Sequence, residues 1–203
     1  MCVICASPKG TRQPSISEIK RMFCRNPHGA GYMVAREGRV EIHKGFMNLG
    51  NFLAALKSEH FTAADSVVYH FRISTQAGVN PEMTHPFPLS NQREDMKALD
   101  VICGCGIAHN GVIRLTTDPA EKEYSDTAIF ITDYLSQYIL RPSDLHRDEL
   151  LNAIGRLIQS KMAILDASGY IATVGSFIND RGLLFILFPD SPAPSACAFS
   201  VLA

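Results

Sequence analysis

The order of hydrophobic patterns along the chain predicts an α+β fold with mainly antiparallel strand pairing. Three observations carry that expectation. Hairpin signatures occur over 31–45 and 161–177, and hairpins pair their strands antiparallel. Strands come first, then helices, then strands again, which argues against a doubly wound parallel sheet. The composition is that of a chain with a sizeable core: 203 residues, 46% hydrophobic and 19% charged. A chain of this length can bury roughly 70% of its unfolded surface without disulfide or metal staples.

Each element has a local reason. Residues 2–6 are a short apolar run stopped by Ser7, Pro8, Lys9 and Gly10, which predicts a buried strand entering a turn. Over 15–23, Ser15 or Ser17 can cap a helix whose Ile16, Ile19, Met22 and Phe23 share one stripe. After the loop NPHGAG, strands at 31–36 and 39–45 flank a Glu37-Gly38 turn. A helix over 48–59 can be capped by Asn48 or Asn51. The stretch SVVYHFRI (66–73) is rich in β-branched and aromatic residues and predicts a strand. A polar stretch with Pro81, Pro86 and Pro88 follows to about residue 98. An apolar run over 98–111 then breaks at His109-Asn110-Gly111 and resumes as VIRL. Helices are predicted over 125–139, capped by Ser125, and over 144–160. A hairpin turning at Ala167-Ser168-Gly169 and a strand at 182–188 complete the pattern. No repeat, low-complexity block or linker divides the chain, so 1–203 reads as a single domain.

The 19 basic and 20 acidic residues leave a net charge of −1. That balance provides no electrostatic footprint for nucleic acid or an anionic membrane. The start of the chain lacks the pattern of a signal peptide, and the run LLFILF is too short to span a bilayer. A cytoplasmic protein with reduced thiols is expected.

Four places invite a chemical reading beside a plain one. Cys2 is a buried-strand residue, half of a C-x-x-C motif with Cys5, or a nucleophile whose own α-amine is freed when Met1 is removed. Arg72 stands in an apolar strand, where it either snorkels from an edge or awaits a carboxylate or phosphate partner. Asn110-Gly111 is either a hairpin turn or a pair of oxyanion donors, the Asn110 amide and the Gly111 N–H. Asp126 opens a helix, where an acid ordinarily complements the helix dipole.

Taken in order, M-C at the start, H-F-R-I-S-T with a later H-P, A-H-N-G, and S-D-T opening a helix resemble the glutaminase domain of class II glutamine amidotransferases. That family belongs to the N-terminal nucleophile (Ntn) hydrolases. The similarity runs from Cys2 to about Ile131. The resemblance implies a four-layer αββα sandwich of two mainly antiparallel sheets. It implies that Cys2, after loss of Met1, hydrolyses a side-chain amide such as that of glutamine through a thioester. Asn110 and Gly111 would hold the oxyanion and count with Cys2 as catalytic. Arg72 would bind the substrate α-carboxylate, Asp126 its α-ammonium, and Thr75 and His85 would line the pocket. No cofactor and no metal are implied. The released ammonia would pass to solvent or to a separate ammonia-accepting partner protein, because no synthetase domain follows in this chain.

The chain departs from the family pattern at Val3, where a glycine is usual, at Ile73, where an aromatic is usual, and at Gln76, where a histidine is usual. These changes are expected to reshape the pocket wall. Two rivals stand beside the enzyme. A zinc module would use Cys2, Cys5, Cys103 and Cys105, but odd spacing in a strand puts Cys2 and Cys5 on opposite faces. A non-catalytic or regulatory binding protein could retain the fold, but has no need of a terminal nucleophile. Cys5, Cys24, Cys105 and Cys197 read as packing residues, and His70 and His109 as supports for their neighbours.

Overall fold

The computed structural model describes residues 2–73, 80–114, 123–139 and 141–186. Strand β1 (Val3–Ser7) is followed by helix α1 (Ile16–Arg25), the hairpin β2 (Ala30–Arg36) and β3 (Arg39–Phe46), helix α2 (Leu49–Glu59) and strand β4 (Ser66–Phe71). Short strand β5 (Phe87–Pro88) lies between 3₁₀ turns at Pro81–Met83 and Glu94–Met96, and leads to β6 (Asp100–Cys103) and β7 (Cys105–Asn110). Helix α3 (Asp126–Phe130) runs through a π-helical turn (Ile131–Leu135) into α4 (Ser136–Tyr138). A 3₁₀ turn (Pro142–His146) then precedes α5 (Asp148–Ile158). Strands β8 (Lys161–Asp166), β9 (Ile171–Val174), β10 (Ile178–Asp180) and β11 (Leu183–Ile186) follow.

Among the described residues the strands form two sheets, ordered β10-β11-β1-β4-β2-β3-β6 and β5-β7-β8-β9. Their pairings are antiparallel. The fold is therefore α+β with two antiparallel sheets. Helix starts follow their caps. Ser15 Oγ accepts from the Glu18 N–H at 3.3 Å while the Ser15 N–H donates to the Glu18 carboxylate at 2.7 Å, a reciprocal capping box. Asn48, not Asn51, caps α2, its Oδ1 accepting from the Asn51 N–H at 2.8 Å.

Strand alternation sorts the core into three layers. Val3 and Cys5 join Ile19, Met22, Phe23 and Phe52, so this face of the large sheet is covered by α1 and α2. Ile4 and Ala6 join Met33, Val68, Ala108 and Ala163, so the other face meets the small sheet. Ile107, Met162 and Ile164 join Ala128, Phe130 and Ile154, so α3 and α5 cover the outside of the small sheet.

Two expectations change. The apolar run 98–111 is two strands in two sheets. β6 pairs with β3, whereas β7 pairs with β5 and β8. The break falls at Gly104; β6 alternates between exposed and half-buried, as an edge strand does, and β7 is buried throughout. Unbroken hydrophobicity carries no mark of a change of sheet. The helix expected from 144 begins at Asp148, because Pro142 starts a separate 3₁₀ turn.

A glycine and a lysine dock the 80–97 segment. Gly31 faces the space between the sheets, and a Cβ there would strike the His85 carbonyl oxygen and approach Lys44 Cβ to 2.8 Å. Lys44 is buried; its Nζ donates to the carbonyls of Glu82 (2.7 Å) and Met96 (2.6 Å) and lies 4.0 Å from the Phe87 ring centroid. Burial pulls its amine down to about 7. Gly31→Ala is expected to destabilise the protein by about 1–3 kcal/mol through this clash. Gly104→Ala, with nothing within 4 Å of its Cβ position, should stay within about 0.5 kcal/mol of wild type. Urea unfolding of the two variants checks the contrast.

Candidate functional site at one end of the inter-sheet space

The site is built by register. β1 pairs with β4 so that Val3 faces Phe71 and Ile4 faces His70. Extending the ladder by one residue sets Cys2 opposite Arg72. On the far side, the Arg72 N–H donates to the Gly29 carbonyl at 2.8 Å and the His28 N–H donates to the Arg72 carbonyl at 3.0 Å. β4 lies between β1 and β2, which excludes an edge-strand arginine. Cys2 and Arg72 share the parity of Ile4 and His70, so both look toward the small sheet. On β7, Asn110 shares the parity of Ala108, which lies in the same inter-sheet core as Ile4. Cys2, Arg72 and Asn110 thus open onto one space from two sheets.

Asp126 completes the group. It is the first residue of α3, with Ser125 as N-cap accepting from the Ala128 N–H at 3.2 Å. One carboxylate oxygen accepts from the Ile113 N–H at 2.6 Å and the other from the Thr127 N–H at 2.8 Å. Its charge is felt at both the Cys2 thiol and the Arg72 guanidinium. Burial pushes the Cys2 thiol up, against its 3.9 Å hydrogen bond to the Ile73 carbonyl and the nearby charge of Arg72. Burial also lowers Arg72, which donates to the Asn80 carbonyl at 3.3 Å. Among the described residues no strand stands between Asn110-Gly111 and α3, and β7 pairs with β5 and β8, so among them the pair closes no hairpin. Asn110 is buried, and among the described residues its Oδ1 has no hydrogen-bond partner.

Three histidines lie beneath. His70 Nε2–H donates to the His109 carbonyl at 3.1 Å, and the His70 and His85 ring centroids lie 4.3 Å apart with the rings tilted by 34°. Among the described residues neither ring nitrogen of His85 has a hydrogen-bond partner. His109 Nδ1 lies 2.8 Å from Thr127 Oγ1, and Nε2 lies 2.6 Å from Ser160 Oγ. Burial pulls His70 to about 3, His109 to about 4 against the pull of Asp126, and His85 well below its ordinary value. All three are neutral near pH 7.

Thr75, the remaining expected pocket residue, and Gln76 lie outside the described residues. Val3 does not line the site. Its side chain is in the core under α1 and α2, because alternation turns it away from Cys2. Cys5 joins that same core, so Cys2 and Cys5 cannot chelate one ion. Among the described residues no cluster of three or more His, Cys, Asp or Glu could hold a metal. Among the described residues Cys2, Cys5, Cys103 and Cys105 are free thiols. No described helix is long and apolar enough to cross a membrane. Sequence reasoning gave no role to Thr127, although it closes the S-D-T motif, and missed Ser160, which carries no motif, and Lys44, whose burial has no local signal. Neither a family model nor any curated protein matches the chain.

The histidines set a pH window. Each has a folded-state pKa below the unfolded value of 6.5, so between pH 6.5 and 4.5 the unfolded chain binds protons that the folded chain refuses. Stability should fall as pH drops through this window, by up to about 1.4 kcal/mol per pH unit per histidine. The ion-paired Glu18, held at about 2, adds its own loss from about pH 5 downward, where the unfolded carboxyl begins to take up its proton. Urea midpoints from pH 7.5 to 4.5 check the slope; a flat profile would contradict neutral buried rings.

Proposed function

We propose that the protein is an Ntn-type amidohydrolase resembling the class II glutamine amidotransferases, with Cys2 as nucleophile after removal of Met1. The observation that carries the reading is the convergence of Cys2, Arg72 and Asn110 on one inter-sheet space, with the charge of Asp126 acting on the first two. Helices on the outer faces of two facing antiparallel sheets are compatible with the four-layer αββα arrangement of Ntn hydrolases. An amino-acid amide matches the two anchors. Arg72 takes the α-carboxylate by a two-pronged hydrogen bond, and Asp126 takes the α-ammonium.

The chemistry follows from the resting thiol. A buried thiol with a raised pKa is a poor nucleophile at neutral pH without a base. The α-amine of mature Cys2, with an unperturbed pKa of ~7.7–8.0, supplies one in the same residue. It takes the thiol proton, and sulfur attacks the amide carbon. Negative charge moves to the carbonyl oxygen, facing the Asn110 amide and the Gly111 N–H. Collapse breaks the C–N bond as the amine's proton goes to the departing nitrogen. Ammonia and a Cys2 thioester result. Water, deprotonated by the same amine, hydrolyses the thioester to the carboxylic acid and restores the thiol. A separate ammonia-accepting partner protein is consistent with this outcome.

Ammonia release from glutamine and a panel of related amides tests the reading. Cys2→Ala should abolish it. Asn110→Ala should lower kcat by about 10²–10³-fold, the effect of losing one oxyanion donor. Absence of ammonia from every amide, with mature Cys2 verified, would favour a non-catalytic binding protein.

A further inference from the structure

The turn that carries Asn110 and Gly111 is enclosed by a ring of hydrogen bonds. His109 points to the opposite side of β7 from Asn110, toward α3. Its Nδ1 meets Thr127 Oγ1 at 2.8 Å, Thr127 Oγ1 lies 3.4 Å from Asp126 Oδ1, and Asp126 Oδ2 accepts from the Ile113 N–H at 2.6 Å. The chain from Ile113 back through Val112, Gly111 and Asn110 to His109 closes the ring. From the other side, Ser160 Oγ lies 2.6 Å from His109 Nε2. Gly111 sits against this assembly at φ +147°; a Cβ there would come within 2.5 Å of Ser160 Cβ and 3.4 Å of His109 Nε2.

The directions of these bonds follow from donor and acceptor chemistry. A carboxylate only accepts, so the Thr127 hydroxyl donates to Asp126. Thr127 Oγ1 then accepts from His109, which fixes the proton on Nδ1. Nε2 is left as an acceptor for the Ser160 hydroxyl. One neutral tautomer satisfies every bond.

We propose that His109 is a positioning residue for the oxyanion turn: as the Nδ1–H tautomer it ties Ser160 to Thr127 and Asp126, and so holds Asn110 and Gly111 in place relative to the ammonium anchor. This rests on the amidohydrolase reading. Burial of the ring, which favours its neutral form, agrees with the assignment. His109 touches neither substrate nor nucleophile; it acts through the turn and through Asp126.

Two measurements on the full-length mature protein decide it. Long-range ¹H–¹⁵N NMR of the histidine rings should show His109 protonated at Nδ1 and bare at Nε2 from pH 5.5 to 8. A proton on Nε2, or titration with an ordinary midpoint in that range, would overturn the assignment. In amide hydrolysis, Thr127→Val should lower kcat roughly two- to tenfold, the span of one net hydrogen bond. Thr127→Ser, which keeps the hydroxyl, should restore most of it. A Thr127→Val enzyme with wild-type kcat per folded molecule would overturn the positioning role, whatever its Tm. Failure of the wild type to release ammonia would instead sink the amidohydrolase reading and the catalytic role with it, while the NMR result still decides the ring of bonds.

Discussion

The antiparallel register of β1 on β4 is the constraint on which the rest depends. Val3 opposite Phe71 sets the faces of every residue around it. Cys2 and Arg72 look toward the small sheet, and Val3 and Cys5 look into the core under α1 and α2. A slip of one residue would exchange these sets. Val3 and Cys5 would then face the histidines, and the Cys2 thiol would turn into the core under α1 and α2, away from Arg72. The apolar contacts of Val3 and Cys5 with Phe23, Phe52 and Phe71 therefore specify the placement of the site as well as stabilising the sheet.

Above that register lies an uneven distribution of charge. Arg72 and Asp126 bracket the Cys2 thiol, and their opposite effects on it leave burial as the dominant influence. The floor beneath is uncharged, because His70, His85 and His109 are too deeply buried to hold protons near neutral pH. On the proposed reading, Arg72 and Asp126 are the charges that orient a zwitterionic substrate above this neutral floor. On the same reading, the base sits on the nucleophile's own backbone, and the space needs no further titrating group.

Much of this was legible in the sequence because it is written in local patterns. The hairpins, the capping of α1 by Ser15 and the strand character of 66–73 each depend on neighbours a few residues away. Arg72 and Asn110 stood out because each interrupts an apolar strand, whereas Cys2 and Asp126 fit their local patterns and stood out only in the ordered set of motifs. What was not legible depends on contacts distant in sequence. The run 98–111 carries no mark that β6 and β7 belong to different sheets. Val3 was expected in the pocket wall, and only its pairing partner shows which face it takes. Lys44 reads as one charge in an alternating strand, yet it is buried because the carbonyls of Glu82 and Met96, far along the chain, receive its protons. The links from Ser160 and Thr127 to His109 are of the same kind.

The central claim is that Cys2 is a terminal nucleophile, and intact-mass spectrometry of the protein isolated from its own host tests it most directly. The account predicts a chain lacking Met1 that, on brief exposure to a hydrolysable amide, carries an acyl group on Cys2 as a thioester cleavable by hydroxylamine. A chain that uniformly retains Met1 would contradict it, as would a mature chain that acquires the adduct at another cysteine.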